Sequence, residues 1–199
     1  MSTVRRDLAM RRSDLEKTAI HEAGHAVACV LLDLEFNHAT IIPGDDAKGH
    51  VDITMPGYVL DEMENGDPLT DPKTRQHLEH HLISILAGPI AQRKKFPRSR
   101  LNSTDTLKGQ KVLVPGSDHS QVTRMIADLF GADNDQVRWT YERYITARAR
   151  ALVESHWHEF ELIAAALLER ETLAAEEISR LIYQARSDGL PALLSAAPH

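Results

Sequence analysis

The chain has 199 residues, 42% of them apolar, which is enough to form the core of one domain. Aromatic residues make up only 5%, and alanine and leucine are abundant, so the composition favours helices over a β-sandwich or barrel. The formal net charge of -6 argues against a general binder of nucleic acid or anionic membranes. A single cysteine, Cys29, excludes an intramolecular disulfide framework and indicates a reducing compartment.

Neither a secretory signal nor a membrane span is predicted. The first 12 residues carry four arginines, and no apolar stretch follows them. The longest apolar runs, 26–32 and 162–168, have seven residues each, whereas about 20 are needed to cross a bilayer. We therefore expect a soluble, cytoplasmic protein.

The first elements in chain order are a helix and a hairpin. Ser13 and Glu16 have the spacing of a capping box, and apolar residues then recur at three- and four-residue steps, which predicts a helix over about 14–34. Two short segments follow at 39–43 and 49–55, and the second alternates apolar and polar residues as strands do. A Pro-Gly-Asp-Asp turn joins them, so a small hairpin or sheet edge is expected.

A loop, a helix and a second loop are predicted next. Residues 56–71 contain glycines, prolines and several acids, which are typical of a loop. Pro72 begins a helical stripe that runs to Ile90, with a kink expected at Pro89 because proline cannot donate a hydrogen bond one turn back. Periodicity disappears over 94–115, which predicts a long basic loop.

The rest of the chain is expected to be helical. A short helix is predicted from Ser117 to Gly131, and a long one over 133–170, which at 1.5 Å per residue spans about 55 Å. The last helix is predicted over 174–186, capped by Thr172 and ended by a Gly-Leu-Pro sequence.

The order of these elements predicts the fold class. With no internal repeat and no clean linker, we expect a single domain over 1–199. It should be mainly α, with a small αβ part made of the first helix and the hairpin, followed by an α-helical bundle.

The first predicted helix contains the motif His21-Glu22-Ala23-Gly24-His25. Residues four apart on a helix lie on one face, with Cβ atoms about 5 to 6 Å apart, which allows both imidazoles to bind one Zn²⁺. Glu22 is displaced from that face, so its carboxylate can hold a water molecule and take its proton. The alternative is an ordinary helix with a solvated or buried His/Glu cluster, because the motif fixes only three positions.

A catalytic zinc ion usually has a third protein ligand. The metzincin extension is absent, since Ala28 and Leu31 stand where it needs glycine and histidine. Asp118 follows a short Pro-Gly-Ser turn and could reach the metal, although spacing alone favours helix capping for it. Further carboxylate candidates are Glu62, Glu64 and Glu79.

Five ordered blocks of sequence, spread over about 13–187, resemble the peptidase domain of the FtsH family of ATP-dependent zinc metalloproteases. The first, Thr-Ala-Ile-His-Glu-Ala-Gly-His-Ala-Val, resembles that family's zinc-site helix. The others are Ile-Ile-Pro at 41–43 with Gly49, Leu-Ala-Gly-Pro-Ile-Ala at 86–91, Gly-Ser-Asp at 116–118, and 167–178. The resemblance implies an FtsH peptidase-like fold, with zinc held by His21, His25 and Asp118 and with Glu22 as the catalytic base.

The sequence also departs from that family. It contains no G-x-x-x-x-G-K-S/T nucleotide-binding loop and none of the family's membrane spans. Gln92 stands where the family commonly has glutamate, and the basic segment 93–111 has no counterpart that we can name.

These observations predict a zinc-dependent metalloendopeptidase that hydrolyses unfolded or extended polypeptides without an ATPase of its own. A substrate could add as a strand beside 49–55, although an ordinary hairpin explains that alternation equally well. A separate unfoldase could deliver substrates, and segment 93–111 could bind an acidic partner. The alternative is a non-catalytic adaptor or interaction module with the same fold. The sequence does not determine the oligomeric state.

A second histidine pair, His77 and His81, also has helical ligand spacing. No glutamate companion or third ligand is evident for it, so we expect a polar helix face there instead of a second metal site. His119 adjoins Asp118, and solvent exposure is expected for it.

Overall fold

A computed structural model describes residues 3–44, 48–65, 69–97, 104–107, 110–113, 117–131 and 133–195. The helices in this part of the chain are α1 (Thr3–Leu31), α2 (Gly57–Asn65), α3 (Pro72–Lys95), α4 (Asp118–Phe130), α5 (Asp135–Ser155), α6 (Trp157–Arg170) and α7 (Ala175–Ser195). The strands are β1 (Phe36–Thr40), β2 (His50–Ile53), β3 (Thr104–Leu107), β4 (Gln110–Leu113) and β5 (Thr172–Ala174). The predicted mainly-α fold with a small sheet is confirmed.

The small sheet has the strand order β2-β1-β5, and both pairings are antiparallel. The predicted hairpin corresponds to β1 and β2, although β1 lies at Phe36–Thr40 and not at the expected 39–43. Strand β5 joins from the distant end of the chain. Thr172, predicted to cap the last helix, instead pairs with Thr40 in this sheet, and their hydroxyl oxygens lie 2.7 Å apart. The prediction was wrong because a three-residue strand is too short to show alternation.

Helix α1 lies in the core and packs against α3 and α6. Its buried face is made largely of alanines, which lets neighbouring helices approach closely. At the contact with α3, a Cβ atom placed on Gly24 would lie 2.5 Å from Cα of Gly88. The two glycines therefore set the distance between α1 and α3. A second apolar cluster joins α3 to α4 and α5.

Several predicted boundaries were wrong. The expected loop 56–71 contains α2, an amphipathic helix that buries Val59. The expected loop 94–115 contains the two-stranded hairpin of β3 and β4. The expected 133–170 helix is two helices that meet at His156, and no glycine or proline marks that break.

Two further differences concern helix ends. Helix α1 begins about ten residues before its predicted start, and α7 continues through Pro191 to Ser195. Helix α4 lies where it was predicted, between its caps Ser117 and Gly131. Among the described helices, none combines the length and apolar composition needed to cross a bilayer.

Candidate metal centre

The two motif histidines meet on one face of α1. Their Nε2 atoms lie 3.1 Å apart, and their rings pack edge to face with centroids 4.7 Å apart. His25 is 7% exposed and Glu22 is 5% exposed, so the motif lies within the fold and not on a solvated surface. Burial therefore argues against a solvated His/Glu cluster, while a buried cluster remains the alternative to a metal site.

Asp118 reaches both histidines from the start of α4. Its Oδ2 lies 3.1 Å from Nε2 of His21, and its Oδ1 lies 3.8 Å from Nε2 of His25. Ser117, not Asp118, caps α4, because its hydroxyl accepts a hydrogen bond from the backbone N–H of Ser120. Asp118 is the first residue of the helix, and its carboxylate faces the histidines instead of the helix end.

One potential ligand atom from each of His21, His25 and Asp118 lies within 4.8 Å of the other two. No other such group of three histidine, cysteine or carboxylate ligands occurs among the described residues. Glu79 accepts a hydrogen bond from Arg148 at 2.6 Å, while Glu62 and Glu64 lie on α2, outside the group. Nε2 of His119 lies 3.2 Å from a carboxylate oxygen of Glu142.

Both motif histidines use their other ring nitrogen to contact an acceptor on α3. Nδ1 of His25 donates to the backbone carbonyl of Ser84 at 2.9 Å, and Nδ1 of His21 donates to the side-chain carbonyl of Gln92 at 3.1 Å. A proton on each Nδ1 leaves both Nε2 lone pairs free to bind one metal ion between them. In the absence of a metal ion, Nε2 of His21 has Asp118 as an acceptor at 3.1 Å.

The donor set fits a tetrahedral metal ion. Two nitrogens that each lie about 2.05 Å from a tetrahedral ion are about 3.3 Å apart, close to the 3.1 Å separation of the two Nε2 atoms. An acceptor on the second nitrogen of each ring is the usual outer partner of a metal-binding histidine.

Glycines make room for this arrangement. A Cβ atom on Gly88 would lie 2.3 Å from Nε2 of His25, and one on Gly49 would lie 2.9 Å from Cγ of Glu22. Glycine inside a helix is less favourable than alanine by roughly 1 kcal/mol, so Gly88 in the middle of α3 was a signal of close approach. From the sequence, Gly88 was interpreted only as part of the kink at Pro89 and of the family-like segment 86–91. Sequence reasoning also missed the contacts of Ser84 and Gln92 with the two histidines.

The carboxylates of the site have shifted pKa values. Burial raises the pKa of Glu22 to about 7, with the charge of Asp118 adding to this effect and His25 opposing it. Burial would raise the pKa of Asp118 as well, but the hydrogen bond with His21 and the charge of His25 outweigh it and lower that pKa. Asp118 is thus held ionised beside the histidines, while Glu22 can exchange a proton near neutral pH.

The basic segment 93–111 is only partly described. Within it, Lys94 lies over the ring of Trp157 at 4.7 Å, and Lys95 forms an ion pair with Glu161. Residues 98–103 and 108–109 lie outside the described residues.

Comparison with known proteins gives one consistent likeness. No protein-family model matches the chain. It is 27% identical over 217 residues to "ATP-dependent zinc metalloprotease FtsH 4" of Sorangium cellulosum, covering 92% of this chain and 31% of that protein. It is 27% identical over 210 residues to "ATP-dependent zinc metalloprotease FtsH" of Rickettsia prowazekii, with the same two coverages.

A eukaryotic relative shows the same pattern. The chain is 28% identical over 190 residues to "ATP-dependent zinc metalloprotease YME1 homolog" of Caenorhabditis elegans, covering 83% of this chain and 25% of that protein. The resemblance expected from the sequence blocks is confirmed. The chain spans less than a third of the length of these relatives.

Proposed function

We propose, from the chain's likeness to zinc metalloproteases of the FtsH type, that it is a zinc-dependent metalloendopeptidase. In this proposal His21, His25 and Asp118 hold the zinc ion, and Glu22 is the general base. The observation that carries the proposal is the convergence of three ligand side chains from two helices, with a buried glutamate beside them.

Each residue of the proposed site has a separate chemical role. Zinc, when bound, acidifies water and polarises a carbonyl group. Glu22 takes the proton of the attacking water and returns it to the leaving amine. Its burial, which raises its pKa in the metal-free protein, favours uptake of that proton. Asp118 supplies the one negative charge of the ligand set, and the two histidines bind as neutral rings.

An extended substrate fits the edge of the small sheet. Strand β2 pairs on one side with β1 and is an edge strand of the three-stranded sheet. Gly49 precedes β2, and its backbone lies beside the side chain of Glu22, so the edge begins next to the proposed base. A chain that adds to this edge is held by main-chain hydrogen bonds, which need no particular sequence. This supports unfolded or extended polypeptides as substrates.

The relatives are named ATP-dependent, whereas the 199 residues of this chain contain no nucleotide-binding loop motif. We propose that the peptidase step itself needs no nucleotide, because the residues assigned to it lie on α1 and α4. A separate unfoldase would then be needed only to supply folded substrates as extended chains.

The proposal predicts that Glu22→Gln loses peptidase activity and keeps its metal. Removing a general base typically lowers the rate about 10²- to 10⁴-fold, while the three ligands are untouched. Casein cleavage and metal content by mass spectrometry measure the two effects, and a chelator should abolish cleavage by the wild type. The matched control is Glu154→Gln, an exposed glutamate on α5, which should behave like the wild type.

A wild-type protein that binds zinc and cleaves no unfolded protein would contradict the catalytic proposal. The alternative is a non-catalytic adaptor with a metal-stabilised fold. It predicts that Glu22→Gln leaves the function of the protein in its host cell unchanged.

A further inference from the structure

The two histidines of the metal centre are held by acceptors of different kinds. Nδ1 of His25 donates to the backbone carbonyl of Ser84, which no side-chain substitution removes. Nδ1 of His21 donates to Oε1 of Gln92, a side chain. We propose that Gln92 is a positioning residue that fixes the ring and tautomer of His21 and thereby sets the metal affinity of the site. This inference rests on the proposed function, because it takes His21 as a ligand.

The contact follows from the packing of α1 against α3. Ser84, Gly88 and Gln92 are four residues apart, so they lie on one face of α3 in successive turns. The first two contact His25, and the third contacts His21 one turn earlier on α1. The helices therefore run antiparallel here, and Gln92 is the residue of α3 that faces the His21 ring.

His21 needs such a partner more than His25 does. Its side chain is 22% exposed, compared with 9% for His25, so water can compete for its ring nitrogens. The carbonyl oxygen of Gln92 only accepts hydrogen bonds, so it stabilises the neutral His21 tautomer that carries its proton on Nδ1. The carboxylate of Asp118, 3.1 Å from Nε2, stabilises the other tautomer when no metal is bound. When a metal is bound, Nε2 gives its lone pair to the metal and the proton stays on Nδ1, where Gln92 accepts it.

The neutral amide also sets how strongly His21 binds a metal. An outer carboxylate beside Nδ1 would pull on its proton and make Nε2 a stronger donor. It would also add a second negative charge near Asp118. With the amide, the ligand set keeps a single negative charge. Metal affinity should therefore rise in Gln92→Glu and fall in Gln92→Met, which keeps the side-chain length without the acceptor.

The first test uses the metal-free protein labelled with ¹⁵N-histidine. At about pH 8, above the ordinary pKa of histidine, the wild type should populate the His21 tautomer with its proton on Nδ1, beside the tautomer that donates from Nε2 to Asp118. Its signals are assigned by their loss in His21→Asn. In Gln92→Met the population of the Nδ1-protonated tautomer should fall, because Nε2 keeps its acceptor Asp118 while Nδ1 loses Gln92. The matched control Gln184→Met changes an exposed glutamine on α7 and should leave His21 unchanged.

The second test measures zinc affinity by competition with a chromophoric chelator. Loss of an outer partner typically lowers metal affinity about 10- to 100-fold, so Gln92→Met should fall in that range, and Gln92→Glu should bind more tightly than the wild type. Thermal unfolding of the metal-free variants verifies that they fold. If Gln92→Met does not fold, the zinc affinity of Gln92→Glu decides the test.

An unchanged His21 tautomer, or unchanged zinc affinity in both Gln92 variants, would overturn the inference. Failure of the wild type to bind zinc would instead contradict the proposed function, and the tautomer measurement would still decide whether Gln92 positions His21.

Discussion

Two histidine pairs with the same four-residue spacing lie on helices that pack together. His21 and His25 on α1 are joined by Asp118, and each Nδ1 has an acceptor. His77 and His81 on α3 have no third ligand among the described residues, and two of their nitrogens, Nε2 of His77 and Nδ1 of His81, are buried without a hydrogen-bond partner there. The spacing is common to both pairs, so the proposal of a metal site at the first pair does not rest on spacing. It rests on a remote carboxylate and on outer acceptors, which the second pair does not have among the described residues.

The second pair also differs from its expected environment. A polar helix face was predicted, but His81 is 8% exposed. Helix α2 packs on α3 at this point, with the ring of Tyr58 6.1 Å from that of His77. The prediction of a polar face is therefore wrong for His81, and the helix that packs on α3 near His77 had been predicted as a loop.

The largest expected difference between the pairs is in metal affinity. His25→Gln or Asp118→Ala should lower zinc affinity by more than about 100-fold, because loss of an outer partner alone costs about 10- to 100-fold. His77→Gln should leave it unchanged. Chelator competition measures both. If His77→Gln lowered zinc affinity as much as His25→Gln, the two histidine pairs would not differ in metal binding.

A smaller effect is expected from Gly88→Ala, which tests the packing behind the first pair. The added Cβ would lie 2.3 Å from Nε2 of His25, so the ring has to move. Zinc affinity should fall by about 10- to 100-fold, as for loss of an outer partner, and the protein should be destabilised by about 1–3 kcal/mol. Gly57→Ala is the control, since a Cβ there meets nothing within 4 Å. If both variants bound zinc like the wild type, close packing would not hold His25.

The smallest effect concerns the second pair and is a pH dependence. Burial lowers the pKa of His81 from 6.5 to about 4, with the charges of His77 and His25 adding to this effect. The unfolded chain therefore binds a proton that the folded protein excludes between these values. Burial of His81 therefore makes the free energy of unfolding depend on pH. That free energy is unaffected by His81 well above pH 6.5 and decreases as the pH falls from 6.5 toward 4.

His81→Leu should remove that dependence. Between about pH 7 and 5.5, the free energy of unfolding of the wild type should fall by about 1 kcal/mol more than that of the variant. Urea unfolding with chelator present measures the difference. Identical pH dependence in both proteins would show that His81 is not kept neutral by burial.

Sequence reasoning succeeded where neighbouring residues decide the structure. The motif on α1, the β1–β2 hairpin and the caps of α4 all depend on residues within a few positions of one another. It failed where the partner is distant. Strand β5 pairs with β1 across 132 positions at Thr40 and Thr172, and the contact of His21 with Gln92 spans 71. The close approach of the Gly88 backbone to the His25 ring depends on how α1 and α3 pack. The spacing of apolar residues along the sequence does not reveal which two helices pack together.

The proposed assignment of Asp118 as a ligand came from family resemblance, because spacing alone favoured a helix cap. The adjacent Ser117 was present in the sequence as an equally good cap. Two capping residues in succession were therefore a signal that one of them is free for another role.

The most direct test of the metal centre is an anomalous-difference map, recorded at the zinc edge from a crystal of the zinc-loaded protein. The proposed centre requires one strong peak about 2.0–2.2 Å from Nε2 of His21, Nε2 of His25 and a carboxylate oxygen of Asp118. A peak bound by other residues, or no peak between the two histidines, would contradict it.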